Sequence, residues 1–289
     1  MTPAFTAGLA ALAADRRHGA TELARSSLEL LAALATTLPA QDVDALRAAL
    51  CAAAAQVRAC RPSMAPLGNL TDAWQAELAG LPPTLAVARR AAADAATRLI
   101  TATHAATAAL AGHIATLLGR DRTVLTHSFS STVLAGLARL AGHGLQVRVT
   151  EARPLNEGWT LATRLAALGI PVSVYTDAQA ALALAGADAV LLGADTRLAD
   201  GGCVNKAGSL PIALAARAAR AAGVPVYVAC EQVKRSPARA ATVALERMEV
   251  AELGYPEVPG VTLCNTYFEV VPGALVSAWV SEDGVTAAG

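Results

Sequence analysis

Lysine is almost absent from this chain. Of the 23 basic residues only Lys206 and Lys234 are lysines, and all the others are arginines. One explanation is a coding bias toward alanine and arginine that spared two positions by chance. The other is that these two sites need a compact ammonium as a point-charge binder of phosphate, which a planar guanidinium does not replace. Both explanations stay open on composition alone.

Net charge, metal-type cysteine spacing and long apolar runs are also missing. Acidic and basic residues both number 23, so no general basic surface is available for nucleic acid. The five cysteines have neither CxxC nor Cys/His spacing, which indicates neither a disulfide framework nor a metal site. No uninterrupted run reaches the roughly 18 apolar residues of a membrane span. We therefore expect a soluble, cytoplasmic protein without a nucleic-acid or membrane partner.

Aromatic residues make up 3% of the chain, yet 54% is hydrophobic, so a large core must consist mainly of alanine, leucine and valine. Residues 1–120 have helical spacing throughout, and residues 83–118 are compatible with one long helix. After residue 122, short β-rich runs alternate with helical ones. The predicted strands lie in 123–127, 145–151, 171–177, 187–195, 224–231, 261–265 and 275–284. This alternation predicts an α/β fold with a doubly wound parallel sheet in residues 121–289 and a helical N-terminal domain in 1–120.

Polar residues collect where the predicted strands end. In doubly wound sheets the ligand lies beyond the carboxyl ends of the strands, so these positions outline a candidate site. They are Thr126, His127, Ser128, Glu151, Arg153, Thr176, Asp177, Asp195, Glu231 and Lys234. Residues 193–209 add a glycine-rich segment before a predicted helix, which can present N–H groups to a phosphate. Neither GxGxxG nor GxxxxGK[ST] occurs there, so we expect no nucleotide cofactor of the usual types, and no cofactor at all.

Several segments in order resemble one known family. They are "HGATELARSSLELL", "RPSMAPLGN", "LTHSFSS", "EARPLNEG", "GIPVSVYTD", "GADTRLADGGCVNKAGS", "PVYVACEQVK" and "SEDG". Together they resemble the alpha, beta and delta subunits of translation initiation factor 2B and their relatives, the ribose-1,5-bisphosphate and methylthioribose-1-phosphate isomerases. The resemblance covers nearly the whole chain. It implies a helical domain joined to a Rossmann-like domain, a homodimer, and a phosphorylated small molecule, either a sugar phosphate or a nucleotide, bound between the domains.

The resemblance also implies roles for particular residues. Asp195 matches the catalytic acid of the isomerases, and Ser128 stands where they have a catalytic cysteine. Arg61 matches a phosphate-binding arginine, and residues 18–21 match a phosphate loop that begins with arginine in the isomerases but with His18 here. The expected substrate-binding residues are His18, Gly19, Ala20, Thr21, Arg61, Ser130, Ser131, Thr132, Arg153, Asn205, Lys206 and Lys234.

The loss of the thiol bears directly on function. Moving a proton between adjacent carbons requires groups with accessible pKa values, and a serine hydroxyl is a far weaker acid than a thiol. Three hypotheses follow: a regulatory, non-catalytic ligand-binding protein; a phosphopentose isomerase that uses Asp195 with Ser128 or water; and a structural subunit with a vestigial pocket. Cys203 or Cys230 replacing the thiol is a further, weaker alternative. His127 is expected to point away from Ser128 because successive strand residues face opposite sides.

Overall fold

A computed structural model describes residues 1–15, 18–61, 64–219 and 223–288. The chain forms two compact units, Met1–Ala106 and Thr107–Gly289. Their boundary falls inside a long helix, whereas the sequence places the division near residue 120, where that helix ends. Among the helices of the described residues, none is both long and apolar enough to cross a membrane.

The first unit is helical, as its sequence predicts. Its helices bury alanine and leucine against one another, and fully buried Trp74 donates a hydrogen bond to the Ala92 carbonyl at 2.8 Å. The helices are α1 (Pro3–Ala14), α2 (Ala20–Thr37), α3 (Val43–Cys60), α4 (Ala65–Leu78) and α5 (Leu85–Leu118), of which the last continues into the second unit. The single long helix predicted for residues 83–118 is thus confirmed.

The second unit contains the predicted doubly wound sheet. Its strands and helices are β1 (Thr123–His127), α6 (Ser131–Ala138), β2 (Gln146–Thr150), α7 (Glu157–Ala167), β3 (Val172–Tyr175), α8 (Ala180–Ala183), β4 (Ala189–Gly193), β5 (Thr196–Arg197), β6 (Cys203–Lys206), α9 (Ser209–Ala218), β7 (Val226–Ala229), β8 (Phe268–Val271), β9 (Ala278–Ser281) and β10 (Gly284–Ala287). The seven-stranded sheet has the order β10-β9-β7-β4-β1-β2-β3 and is parallel except for the β9–β10 hairpin. A small antiparallel sheet has the order β5-β6-β8.

Hydrophobic clusters cover both faces of the large sheet. Val124 packs with the last turns of α5 and with α6 and α7, while its neighbour Leu125 packs with α8 and α9. Strands buried on both faces read as continuous apolar runs, which is why the sequence indicates a parallel sheet.

One local prediction is wrong. Residues 261–265 form no strand; Val261 is exposed, and the Asn265 side chain donates to the Glu249 carbonyl, so this β-rich run has no sheet to join. Between β3 and β4 the helical run is short: the 3-10 turn Asp177–Gln179 leads into α8, which ends at Ala183.

Candidate functional site

The candidate site lies where the order of the large sheet reverses. Chain connections run from β1 outward to β2 and β3 on one side and from β4 outward to β7 and β9 on the other. Ligands of open α/β sheets bind beyond the carboxyl ends of the two strands that flank this switch point. Here Ser128 follows β1 and Asp195 follows β4, so both predicted catalytic positions lie at the switch point.

A carboxylate joins two of the predicted residues. Glu157, in the first turn of α7, accepts a hydrogen bond from Ser128 Oγ at 3.0 Å and forms an ion pair with Lys206 Nζ at 2.6 Å. Both contacts are made by the same oxygen, Oε2. The Lys206 ammonium also lies 4.1 Å from the centre of the Tyr267 ring. Lys206 is therefore held by a carboxylate and an aromatic face.

A second carboxylate, that of Glu231, joins the predicted residues Thr132 and Lys234. Glu231 is buried, accepts from Thr132 Oγ1 at 2.6 Å and pairs with Lys234 Nζ at 2.8 Å. Burial alone would raise the pKa of Glu231, but the ammonium and hydrogen bonds hold it below its usual value. Burial would lower the pKa of Lys234, yet Glu231 raises it, with a smaller contribution from Asp195. Both groups therefore stay charged.

His127 is a neutral structural residue. Its Nε2 lies 2.8 Å from the Ala207 carbonyl, which can only accept, so Nε2 carries the proton and Nδ1 accepts from Thr150 Oγ1 at 2.6 Å. Burial lowers the pKa of His127 from 6.5, outweighing the Ala207 hydrogen bond, which would raise it. Both ring nitrogens are engaged away from Ser128, whose hydroxyl donates to Glu157, so His127 is not placed as its base.

Residues with a left-handed backbone conformation are concentrated in the loops at this edge of the large sheet. Ser128, Ala152 and Asn156 have φ values of 62°, 60° and 55°. Such conformations cost non-glycine residues about 1–3 kcal/mol each and concentrate at functional sites. Asp177 supports the second loop by accepting from the amides of Ala152 at 2.9 Å and Arg153 at 2.8 Å. The Arg153 side chain is exposed, and its guanidinium donates to the Leu253 carbonyl at 3.1 Å.

The glycine-rich segment already has an internal anion. Glu269 Oε1 accepts from the amides of Gly208 and Leu210, both at 2.7 Å, at the start of α9. Asn205 faces inward, and its amide donates to Ser209 Oγ at 2.8 Å. The N–H groups that the sequence offers to a phosphate therefore bind a carboxylate of the small sheet.

The predicted residues Ser130, Ser131 and Thr132 open α6 at the switch point. Ser130 is the N-cap, and its hydroxyl accepts from the Val133 amide at 3.3 Å. Ser131 and the buried Thr132 form the first turn, whose N–H groups have no acceptor within the helix itself. This turn, rather than the start of α9, offers backbone donors next to β1.

The predicted residues of the first unit form a group of their own. Asp15 joins them: its carbonyl accepts from Arg61 Nη1 at 2.9 Å, and its carboxylate lies 2.7 Å from His18 Nδ1. Gly19 is the N-cap of α2, and its amide donates to Glu22 at 3.4 Å. Ala20 and Thr21 follow in the first turn, and both are buried. The loop at 18–21 and Arg61, distant in sequence, thus lie together within this unit.

The two neighbouring thiols, Cys203 and Cys230, are both buried. Burial raises the pKa of Cys230 to about 12 and that of Cys203 further. A thiol reacts as its thiolate, so neither is suited to replace the cysteine missing at Ser128. Outside the strand edge, His104 is exposed and His113 Nδ1 lies 2.8 Å from the Ser281 carbonyl, as expected of a packing residue.

Sequence reasoning missed two of the carboxylates that organise the site, Glu157 and Glu269. Glu231 is among the candidates predicted at the strand ends, and the structure pairs it with Lys234. Glu157 opens a predicted helix after a strand, but its partners lie 29 and 49 residues away. Glu269 comes from a strand that the sequence did not predict. Among the described residues, no group of three or more His, Cys, Asp or Glu side chains is placed to hold a metal ion.

The sheet order and the buried polar edge define a Rossmann-like α/β protein with a helical unit before it. The chain belongs to the initiation factor 2 subunit family, whose model matches residues 16–288. It is 32% identical over 280 residues to a ribose 1,5-bisphosphate isomerase of Haloferax volcanii, covering 92% of this chain and 84% of that protein. It is 34% identical over 196 residues to a methylthioribose-1-phosphate isomerase of Rhodopirellula baltica, covering 60% and 54%. The crystal structure of a Pyrococcus horikoshii translation initiation factor eIF-2B matches with a TM-score of 0.86 at 30% identity, covering 99% of this chain and 98% of that one.

Proposed function

We propose that this chain binds a phosphorylated small molecule, a sugar phosphate or a nucleotide, and does not perform the thiol-dependent isomerisation. The observation that carries the proposal is the state of Ser128, whose hydroxyl donates to Glu157 at the switch point. A serine hydroxyl held by a carboxylate recognises ligand hydroxyls, but it is a poor carrier of protons between carbons. The relatives named as isomerases of sugar phosphates support the ligand class.

The proposed binding residues are those predicted from the sequence, with Lys206, Asn205 and Lys234 from the buried edge and Arg61 and residues 18–21 from the helical unit. We further propose a cytoplasmic homodimer.

A thermal-shift screen of pentose phosphates and nucleoside monophosphates tests this proposal. A ligand of the native state raises the melting temperature according to RT ln(1 + [L]/Kd), so we expect a shift for at least one compound. Lys206→Ala should abolish that shift, while Arg90→Ala, on an exposed arginine of α5, should keep it. If no compound shifts the wild type, the pocket is vestigial and the proposal is wrong.

One observation favours isomerase activity as a second candidate. The Glu157 carboxylate lies 3.0 Å from Ser128 Oγ, so a second proton-carrying group stands beside the position of the missing thiol and complements Asp195. Incubation with ribose 1,5-bisphosphate, followed by NMR for the ketose, tests it. Turnover that is lost in Asp195→Asn would establish the enzyme. A gain of activity only in Ser128→Cys would support the non-catalytic proposal for the natural chain.

A further inference from the structure

The Glu157 cluster, consisting of Ser128, Glu157 and Lys206, combines an anion, a cation and a hydroxyl at one point. The carboxylate oxygen Oε2 is 2.6 Å from the ammonium and 3.0 Å from the hydroxyl. The Glu157 side chain keeps 24% of its surface exposed, whereas Lys206 keeps 7%. The cluster is therefore anchored on its lysine side and open on its carboxylate side.

Three separate backbone features hold these groups in place. Ser128 is fixed by its left-handed turn directly after β1. Glu157 starts α7 beside Gly158, where a Cβ would lie 2.1 Å from the Thr150 carbonyl, so the helix begins in contact with the end of β2. Lys206 lies in β6, paired with Phe268 of β8. The cluster thus does not depend on flexible surface side chains.

The charges of the cluster cancel, and this decides what it can bind. A phosphate placed against Lys206 would also lie close to the Glu157 carboxylate, and like charges a few ångströms apart at a partly buried site repel strongly. Neutral hydroxyl groups suit the cluster better, because the carboxylate accepts, the ammonium donates and Ser128 can do either. A carboxylate that is already charged also forms stronger hydrogen bonds with hydroxyls than a neutral acceptor does.

We propose that the Glu157 cluster binds sugar hydroxyls of the ligand and that Glu157 keeps phosphate away from Lys206. Glu157 is thus the specificity-determining residue at this edge of the sheet, and Lys206 is a hydroxyl donor rather than a phosphate anchor. This inference rests on the proposed function and adds to it the part of the ligand that meets β1, α7 and β6.

Calorimetric titrations with ribose 5-phosphate and with inorganic phosphate test the inference. In Glu157→Gln the Kd for ribose 5-phosphate should rise roughly 10- to 100-fold, the usual effect of losing a charged hydrogen bond. Inorganic phosphate should bind about tenfold or more tightly than to the wild type, because the repulsion is removed. Glu157→Asp retains the charge and should still exclude phosphate. Glu29→Gln makes the same charge change at an exposed position of α2 and should alter neither constant.

The outcomes separate this inference from the proposed function. If the wild type binds no phosphorylated sugar or nucleotide, the proposed function is wrong, while the phosphate titration of Glu157→Gln still decides the inference. Phosphate binding no tighter than in the wild type overturns the inference, and so does an unchanged Kd for ribose 5-phosphate in a wild type that binds it. Circular dichroism confirms that each variant is folded before it is titrated.

Discussion

Removing the negative charge of Glu231 should destabilise the protein severely. Glu231 and Lys234 have side-chain exposures of 1% and 5%, and their charged atoms are 2.8 Å apart. At an effective dielectric constant of 20, two unit charges at that separation attract by about 6 kcal/mol. Desolvation offsets part of this attraction, and deleting one partner of a buried pair typically costs about 3–5 kcal/mol. We therefore expect Glu231→Gln to lose about 3–5 kcal/mol of unfolding free energy.

Urea unfolding at pH 7, followed by circular dichroism, measures this loss as a lower midpoint at unchanged slope. The double variant Glu231→Leu with Lys234→Met removes both charges and should recover most of the loss, because no buried charge is left unpaired. Asp94→Asn, which breaks the exposed pair with Arg90, is the matched control and should cost less than about 1 kcal/mol. A loss below about 1 kcal/mol in Glu231→Gln, or a double variant as unstable as the single one, would refute the reasoning.

The pH dependence of this pair follows from the directions of the two pKa values. Glu231 has a folded pKa below 4.5, so its contribution to the free energy of unfolding is present above pH 4.5 and is lost as the pH falls through the folded pKa. Lys234 has a folded pKa above 10.5, so its contribution is present below pH 10.5 and is lost as the pH rises through the folded value. Between these limits the difference between wild type and the double variant should not change with pH.

Three further predictions concern individual residues of the second unit. His127 has a folded pKa below 6.5, so its contribution to the free energy of unfolding is complete above pH 6.5 and decreases as the pH falls below that value. A plot of the denaturation midpoint against pH should therefore be flatter for His127→Gln than for the wild type between pH 7 and pH 5. Gly208→Ala should lower the free energy of unfolding by about 2 kcal/mol or more, because φ is 113° and a Cβ would lie 2.6 Å from the His127 ring. The control Gly260→Ala introduces only the strain of φ 82°. Equal melting temperatures of the two variants would contradict this prediction. Cys230, with a pKa of about 12, should resist a thiol reagent in the native protein while exposed Cys264 reacts; rapid labelling of Cys230, mapped by mass spectrometry, would disprove its burial.

Local sequence patterns carry much of the fold but not its exceptions. Residues 85–118 form one helix because alanine and leucine favour helix over the whole run. Residues 261–265 are as rich in β-forming residues as the observed strands are. They nevertheless form no strand, because a strand requires a neighbour with free hydrogen-bonding groups. Strand β8, Phe268–Val271, does pair with β6, although nothing in its local sequence distinguishes it from the run at 261–265. Helix propensity is local, whereas strand pairing depends on distant residues.

The sequence by itself determined the alternation of strands and helices, the burial of the parallel strands and the presence of polar residues at their carboxyl ends. These follow from periodicity and from the rule that ligand sites of such sheets lie at that edge. Only the tertiary structure decided which charges meet. Ser128, Glu157 and Lys206 come from three elements, and their contact depends on the strand order and on where α7 begins. In the folded protein Lys206 is the partner of Glu157 and Lys234 is the partner of Glu231, pairings that the rarity of lysine in the sequence could not reveal.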